Sequence, residues 1–249
     1  MYIVEGYDMK PDFRGFVIDA GATLLDPPAL PRRTMEFIGN SITCGYGIES
    51  YEKSDHFEYE TENHYYTYAQ LTARELDARA HVVARSGIGV YRSYGGPKTG
   101  TPENRMPDEY EYTNLYDRSE RWDFQRFQPQ VICINLGTND LSTNNYDVKL
   151  LKKAYVSFLQ QVRRHNPQAK IVLLCGSMLG GRELEIARNT MNDVVAEARK
   201  AGDLEVYRFD FTPQTGDLYY GADYHPSLWQ HRKMAAELTA YLRVLMHWF

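Results

Sequence analysis

Four short stretches of this chain carry the groups from which acyl-transfer chemistry can be built. Gly39-Asn40-Ser41-Ile42 offers a hydroxyl, and Ser86-Gly87-Ile88-Gly89 offers backbone amides in a glycine-rich turn. Gly137-Thr138-Asn139-Asp140 offers a carboxamide, and Asp223-Tyr224-His225-Pro226 offers an imidazole. A free serine hydroxyl is weakly nucleophilic and needs a neighbouring base, and histidine titrates near neutral pH. Ser41 and His225 fit these two roles. The tetrahedral intermediate also needs hydrogen-bond donors aimed at its oxyanion, each worth about 3 kcal/mol of barrier. The amides of Ser41 and Gly89, with the side-chain amide of Asn139, can supply three. Taken singly, each residue has a plainer role: Ser41 as a helix cap, His225 before proline as a turn residue, the glycines as a tight turn. Asp140 is expected to be structural.

These groups must be positioned by a scaffold, and from Thr34 onward short apolar runs alternate with segments of helical periodicity. The runs Met35 to Ile38, His81 to Ala84, Val131 to Asn135, Ile171 to Cys175 and Glu205 to Phe209 read as five strands. Tyr65 to Ala78, Asp147 to Arg164, Glu183 to Ala201 and Leu228 to Leu245 read as helices. Strands and helices in alternation predict an α/β fold, a five-stranded parallel sheet between two helical layers, with ligands beyond the carboxyl ends of the strands. All four stretches fall there. Residues 1 to 33, with Pro27, Pro28 and Pro31, read as a separate linker-like segment in which Gly15 to Asp19 could form one strand.

Together the four blocks resemble the SGNH hydrolases, also called GDSL esterases, in order and in placement after strands. The stretches Phe37 to Gly47 and Arg85 to Arg92 look like those of carbohydrate esterase family 2, whose members are acetyl esterases acting on plant polysaccharides. The resemblance implies a three-layer flavodoxin-like sandwich over residues 34 to 249. It also implies that residues 1 to 33 are the linker and remnant of an upstream β-sandwich domain. Counting against the family pattern favours Gly89 over Gly87 for the oxyanion hole. Two departures stand out. Asn40 occupies the position of the usual aspartate beside the nucleophile. The family's triad aspartate lies three residues before the histidine, where this chain has Ala222, while Asp223 lies two before. Either Asp223 completes a triad, or the Ala222 carbonyl orients His225 in a Ser-His dyad.

The chain has 249 residues, 43% of them hydrophobic, enough for one sizeable core. With 28 Lys and Arg against 33 Asp and Glu it carries a formal charge of -5, which argues against electrostatic capture of nucleic acid or anionic membrane. No apolar run approaches the roughly 20 residues that span a bilayer. Three cysteines form neither a disulfide framework nor a metal pattern and read as buried thiols. No cofactor is called for. Asp55, His56, Glu58 and His64 do not match a ligand spacing for metal. Twenty tyrosines, many in expected loops (Tyr46, Tyr51, Tyr59, Tyr91, Tyr94, Tyr110, Tyr112, Tyr224), suit sugar recognition, with Tyr224 and Tyr91 the leading substrate contacts. The expected function is removal of acetyl groups from carbohydrate hydroxyls. A lipid or thioester acyl hydrolase, or a silent carbohydrate-binding module, are the alternatives. A polymeric substrate implies an extracytoplasmic protein, although Met1 to Lys10 has no hydrophobic centre of an export signal.

Overall fold

The computed structural model describes residues 13–115 and 117–249. In chain order its elements are β1 (Arg33–Gly39), α1 (Ser41–Cys44), α2 (Tyr68–Glu75), β2 (Ala78–Ala84) and α3 (Met106–Glu109). A hairpin of β3 (Tyr112–Asn114) and β4 (Asp117–Arg121) follows. The remainder is β5 (Val131–Asn135), α4 (Thr138–Leu141), α5 (Val148–His165), β6 (Lys170–Cys175), α6 (Gly181–Lys200), β7 (Val206–Asp210) and α7 (Leu228–Met246). The five principal strands form one parallel sheet in the order β2-β1-β5-β6-β7, and β3 pairs antiparallel with β4.

Because side chains alternate across a strand, the apolar runs supply both faces of the sheet. Ile132 and Ile134 of β5 pack with Leu151, Tyr155, Phe158 and Val162 of α5 and with Met191 and Val194 of α6. Val131 and Cys133 face the other way, onto Tyr68 and Ala73 of α2 and Met234, Leu238 and Leu242 of α7. The central strands β1, β5 and β6 are buried almost throughout, whereas β2 and β7, at the edges, are mostly half-buried. All three cysteines are buried and outside any disulfide.

Caps explain where the helices start. Asp147 accepts the amides of Lys149 and Leu150 ahead of α5, and Ser227 accepts the amide of Gln230 ahead of α7. Thr67 caps α2, so Tyr65 and Tyr66 fall in a separate turn and the helix is shorter than its periodicity suggests. It ends before Asp77, whose φ of +47° turns the chain straight into β2. Gly15 to Asp19 is not a strand. It lies in an irregular, exposed segment, because a lone extended run without a partner leaves its backbone groups unpaired.

Candidate active site

The first β-strand delivers the serine. Gly39 ends β1 where a side chain has no room, since a Cβ there would lie 2.0 Å from Thr43 Oγ1. Asn40 follows in an extended conformation, and its Oδ1 accepts the amide of Ile42 at 3.1 Å. Ser41 is thus the first residue of α1, at a helix end whose leading amides have no intrahelical acceptor and favour negative charge. The sequence places an asparagine where a carboxylate is usual in the resembling family. The cap is the same in kind, because only the side-chain oxygen is used.

The histidine arrives from the segment between β7 and α7. Its conformation is fixed by the Gly221 amide donating to the His225 carbonyl at 2.8 Å and by a bridge between Tyr220 and Pro226. The Ala222 amide donates to the Gly47 carbonyl at 3.1 Å, and a Cβ on Gly47 would meet the Ala222 methyl at 2.4 Å. Close approach of two backbones therefore ties the loop of the serine to the loop of the histidine. Asp223 and Tyr224 both sit in the left-handed region, with φ of +48° and +62°. Such strain in adjacent non-glycine residues persists only where the surroundings over-determine it.

Ser41 Oγ and His225 Nε2 are 2.8 Å apart, and His225 Nδ1 is 3.0 Å from the Ala222 carbonyl. A carbonyl can only accept, so Nδ1 carries the hydrogen and Nε2 is left as the acceptor of the serine proton in the neutral ring. Burial lowers the His225 pKa to about 4, against the Ala222 carbonyl and the Asp223 charge, which raise it. The imidazole is therefore neutral at ordinary pH, the form a base requires.

Of the two expected orienting groups, the structure brings only Ala222 to the imidazole. Asp223 Oδ2 accepts from the Tyr46 hydroxyl at 2.8 Å and Oδ1 from His56 Nδ1 at 3.2 Å. The left-handed turn at Asp223 swings its side chain away while presenting the preceding carbonyl. Burial would raise the Asp223 pKa, but the bonds from Tyr46 and His56 outweigh it and hold the carboxyl below its ordinary range.

The glycine loop after β2 is locked by a knot of buried polar groups. The Asp140 carboxylate accepts the amides of Val90, Tyr91 and Arg92 at 2.8 to 3.2 Å. Burial pushes its pKa up while these donors pull it down. Arg92, fully buried, donates from Nε to the Asp140 carbonyl at 2.8 Å and from its terminal nitrogens to the carbonyls of Gly96, Ser142 and Asn145. Asp140 is thus a structural residue. Asn139 Nδ2 donates to the Ile88 carbonyl at 2.8 Å. That carbonyl and the Gly89 amide belong to one trans peptide and point in opposite directions, so Asn139 aims the Gly89 N–H as well as keeping a second hydrogen of its own. Gly87 and Gly89 differ in why they are glycine. Gly87 has φ of +74° and a Cβ there would meet only Tyr94 Cβ, at an ordinary contact of 3.9 Å, whereas a Cβ on Gly89 would lie 2.0 Å from the Arg92 carbonyl and 2.7 Å from Asp140 Oδ2.

Tyr91, expected as a substrate contact, is buried. It is 3% exposed, and its hydroxyl accepts the amide of Asp147 at 2.9 Å, so it packs the loop onto the body. Tyr224 is 56% exposed beside His225. His64 donates from Nδ1 to the Thr43 carbonyl and meets Gln70 through Nε2, His56 reaches Asp223, and Asp55 accepts from the Ser50 hydroxyl. These residues do not converge, and no group of three metal-ligating side chains occurs among the described residues. What sequence reasoning missed is the place of Tyr46, grouped there only with the loop tyrosines suited to sugar recognition, whose ring stacks on His225 with centroids 4.1 Å apart. The glycines on either side of it, at 45 and 47, were the available signal of a close approach.

Residues 37–233 match the model of the GDSL-like Lipase/Acylhydrolase family. The cellulase/esterase CelE of Acetivibrio thermocellus is 42% identical over 236 residues, 95% of this chain and 28% of that protein. An acetylxylan esterase / glucomannan deacetylase of Cellvibrio japonicus is 33% identical over 230 residues, 92% of this chain and 61% of its own length. The chain therefore spans less than two thirds of both relatives. A family two carbohydrate esterase from Clostridium thermocellum, solved with cellohexaose, superposes with a TM-score of 0.86 at 42% identity, covering 91% of this chain and 68% of that one. The extent of these matches and the placement of the four blocks agree, and the chain belongs to the GDSL-like lipase/acylhydrolase family and, within it, to the family two carbohydrate esterases.

Proposed function

We propose that this protein is a serine esterase that removes acetyl groups from carbohydrate hydroxyls. The observation that carries the reading is the Ser41–His225 pair at 2.8 Å with its tautomer set by the Ala222 carbonyl. Ser41 Oγ attacks the acetyl carbonyl while its proton passes to Nε2. The oxyanion is met by the amides of Ser41 and Gly89 and by Asn139 Nδ2. Collapse breaks the ester bond, and the proton on Nε2 goes to the departing sugar oxygen. Water, deprotonated by the same nitrogen, then releases acetate and restores the serine. Orientation of the imidazole is assigned to the Ala222 carbonyl in place of Asp223. The exposed ring of Tyr224 beside His225 supplies a face for a sugar unit, which relatives named for acetylxylan and glucomannan support.

Residues 13 to 33 fit a linker from an upstream β-sandwich domain, and residues 1 to 12 of that expected segment lie outside the described residues. Phe13, Phe16, Val17, Leu24 and Leu25 are each exposed among the described residues, and one similar structure is a family two enzyme with a carbohydrate-binding domain. A polysaccharide substrate places the action outside the cytoplasm, and no helix among the described residues is long and apolar enough to cross a membrane. The test is acetate release from acetylated glucomannan, beside rates on activated esters of increasing acyl length. The reading predicts release from the polymer and the highest kcat/KM for the acetyl ester. A preference for long acyl chains with no release from the polymer would favour a lipid acyl hydrolase instead.

A further inference from the structure

We infer that Tyr46 is a positioning residue for the base, and that Asp223 acts on His225 through Tyr46 instead of by direct contact. The inference rests on the reading of Ser41 and His225 as nucleophile and base. The backbone carbonyl of Ala222 gives the imidazole one hydrogen bond on Nδ1, and the Ser41 hydroxyl gives one on Nε2. Two bonds in the plane of the ring leave its tilt about the Nδ1–Nε2 line unrestrained.

The Tyr46 ring supplies the missing restraint. It lies against the imidazole at 4.1 Å with planes 26° apart, and it is itself backed by Phe57 at 4.5 Å on a tilted ring contact. Its hydroxyl, at the far end, donates to Asp223 Oδ2 at 2.8 Å, and Asp223 is held in turn by His56 at 3.2 Å. The carboxylate two residues before the base thus clamps the tyrosine, which presses on the base. When the imidazole takes the serine proton, the same ring presents its π face to the new cation. A triad aspartate would both orient and stabilise the imidazolium from Nδ1. Here those two tasks are divided between a carbonyl in the ring plane and an aromatic face above it.

The chain around these residues is built for this arrangement. Gly45, with φ of +93°, would put a Cβ 2.7 Å from the Asn63 carbonyl, and Gly47 cannot carry one against Ala222. Tyr46 therefore sits between two backbone contacts that fix where its ring goes. The amides of Asp223 and Tyr224 donate to the carbonyls of Asp55 and Lys53, which fasten the other side of the clamp to the loop that bears His56.

The test is a double-mutant cycle on Tyr46→Phe and Asp223→Asn, with Tyr46→Leu as the stronger variant, read on an activated acetyl ester. Tyr46→Phe keeps the stack and loses only the hydroxyl bond, so kcat falls by about tenfold, with KM unchanged. Asp223→Asn gives a similar fall, and the double variant is no worse than either single one. Tyr46→Leu removes the aromatic face and lowers kcat by on the order of 100-fold, which phenylalanine largely restores. A cost for Asp223→Asn that persists in full in the Tyr46→Phe background, or one of about 10³-fold or more alone, would make Asp223 a direct triad acid and overturn the inference. Nitrogen NMR of histidine-labelled protein separates this from failure of the esterase reading. The native His225 is expected as the single Nδ1–H tautomer with sharp ring resonances, and Tyr46→Leu as the same tautomer with resonances broadened by motion about the Nδ1–Nε2 line. An unchanged spectrum in Tyr46→Leu sinks the clamp even in a chain that hydrolyses no ester.

Discussion

Replacing Gly89 by alanine tests whether its amide is the oxyanion donor. The new Cβ would lie 2.0 Å from the Arg92 carbonyl oxygen and 2.7 Å from the Asp140 carboxylate, where ordinary contact begins near 3.4 Å. The loop must therefore yield by roughly 1.4 Å against a backbone atom. It cannot yield locally, because Asp140 and the buried Arg92 hold it from both sides. Overpacking of this kind costs about 1 to 3 kcal/mol of stability. Displacing an oxyanion donor by about 1 Å costs on the order of 10² to 10³ in rate. Gly87→Ala is the control. It meets nothing closer than 3.9 Å but must hold φ at +74°, so it loses about 1 kcal/mol of stability and little activity. Steady-state kinetics on an activated acetyl ester, with Tm measured alongside, separates the two. In Gly89→Ala kcat should collapse while KM and folding survive. A folded Gly89→Ala protein within threefold of native kcat, or a larger loss in Gly87→Ala, would refute the assignment.

Asn139→Ala removes one donor and frees the Ile88–Gly89 peptide that aims another, so kcat should fall by about 10² to 10³ with KM nearly constant. Asp140→Ala leaves three buried amides without an acceptor, and urea unfolding should show a loss of about 3 to 5 kcal/mol. Acid should spare catalysis longer than it spares the fold. Burial lowers His225 to about 4 and His231 to about 3, so the base stays neutral at pH values where an ordinary histidine near 6.5 would be charged. The unfolded chain, however, binds these protons from about pH 6.5 downward. Stability complete above that pH should decline through pH 4.5 by about 2 to 3 kcal/mol for each histidine. Tm against pH, beside the acid limb of kcat/KM, checks both.

The sheet and the placement of the four blocks after its strands were legible because each depends on local signals. Buried parallel strands such as Val131–Asn135 are continuous apolar runs, and the loops that follow them must carry the chemistry. Helix limits were readable to within a few residues where a cap such as Asp147 or Ser227 stood in place, and misread at α2, where Thr67 starts the helix three residues late. What sequence left open were matters of backbone conformation. Whether Asp223 or the Ala222 carbonyl meets the imidazole turned on a left-handed φ in a non-glycine residue, which residue type does not announce. Tyr91 was expected at the substrate and is buried, while Tyr46 in the same set of tyrosines covers the base. A tyrosine serves equally as a packing ring or a wet one, and only the tertiary contacts distinguish them. The Arg92 and Asp140 knot joins residues 48 apart, beyond any periodicity.

The central claim is that Ser41, with its proton drawn by His225, is the nucleophile. Turnover of an activated acetyl ester by Ser41→Ala, set against the native chain at neutral pH, tests it most directly. For Ser41→Ala kcat should fall on the order of 10³-fold or more with Tm unchanged. A Ser41→Ala protein that still turns over within tenfold of the native rate would contradict it.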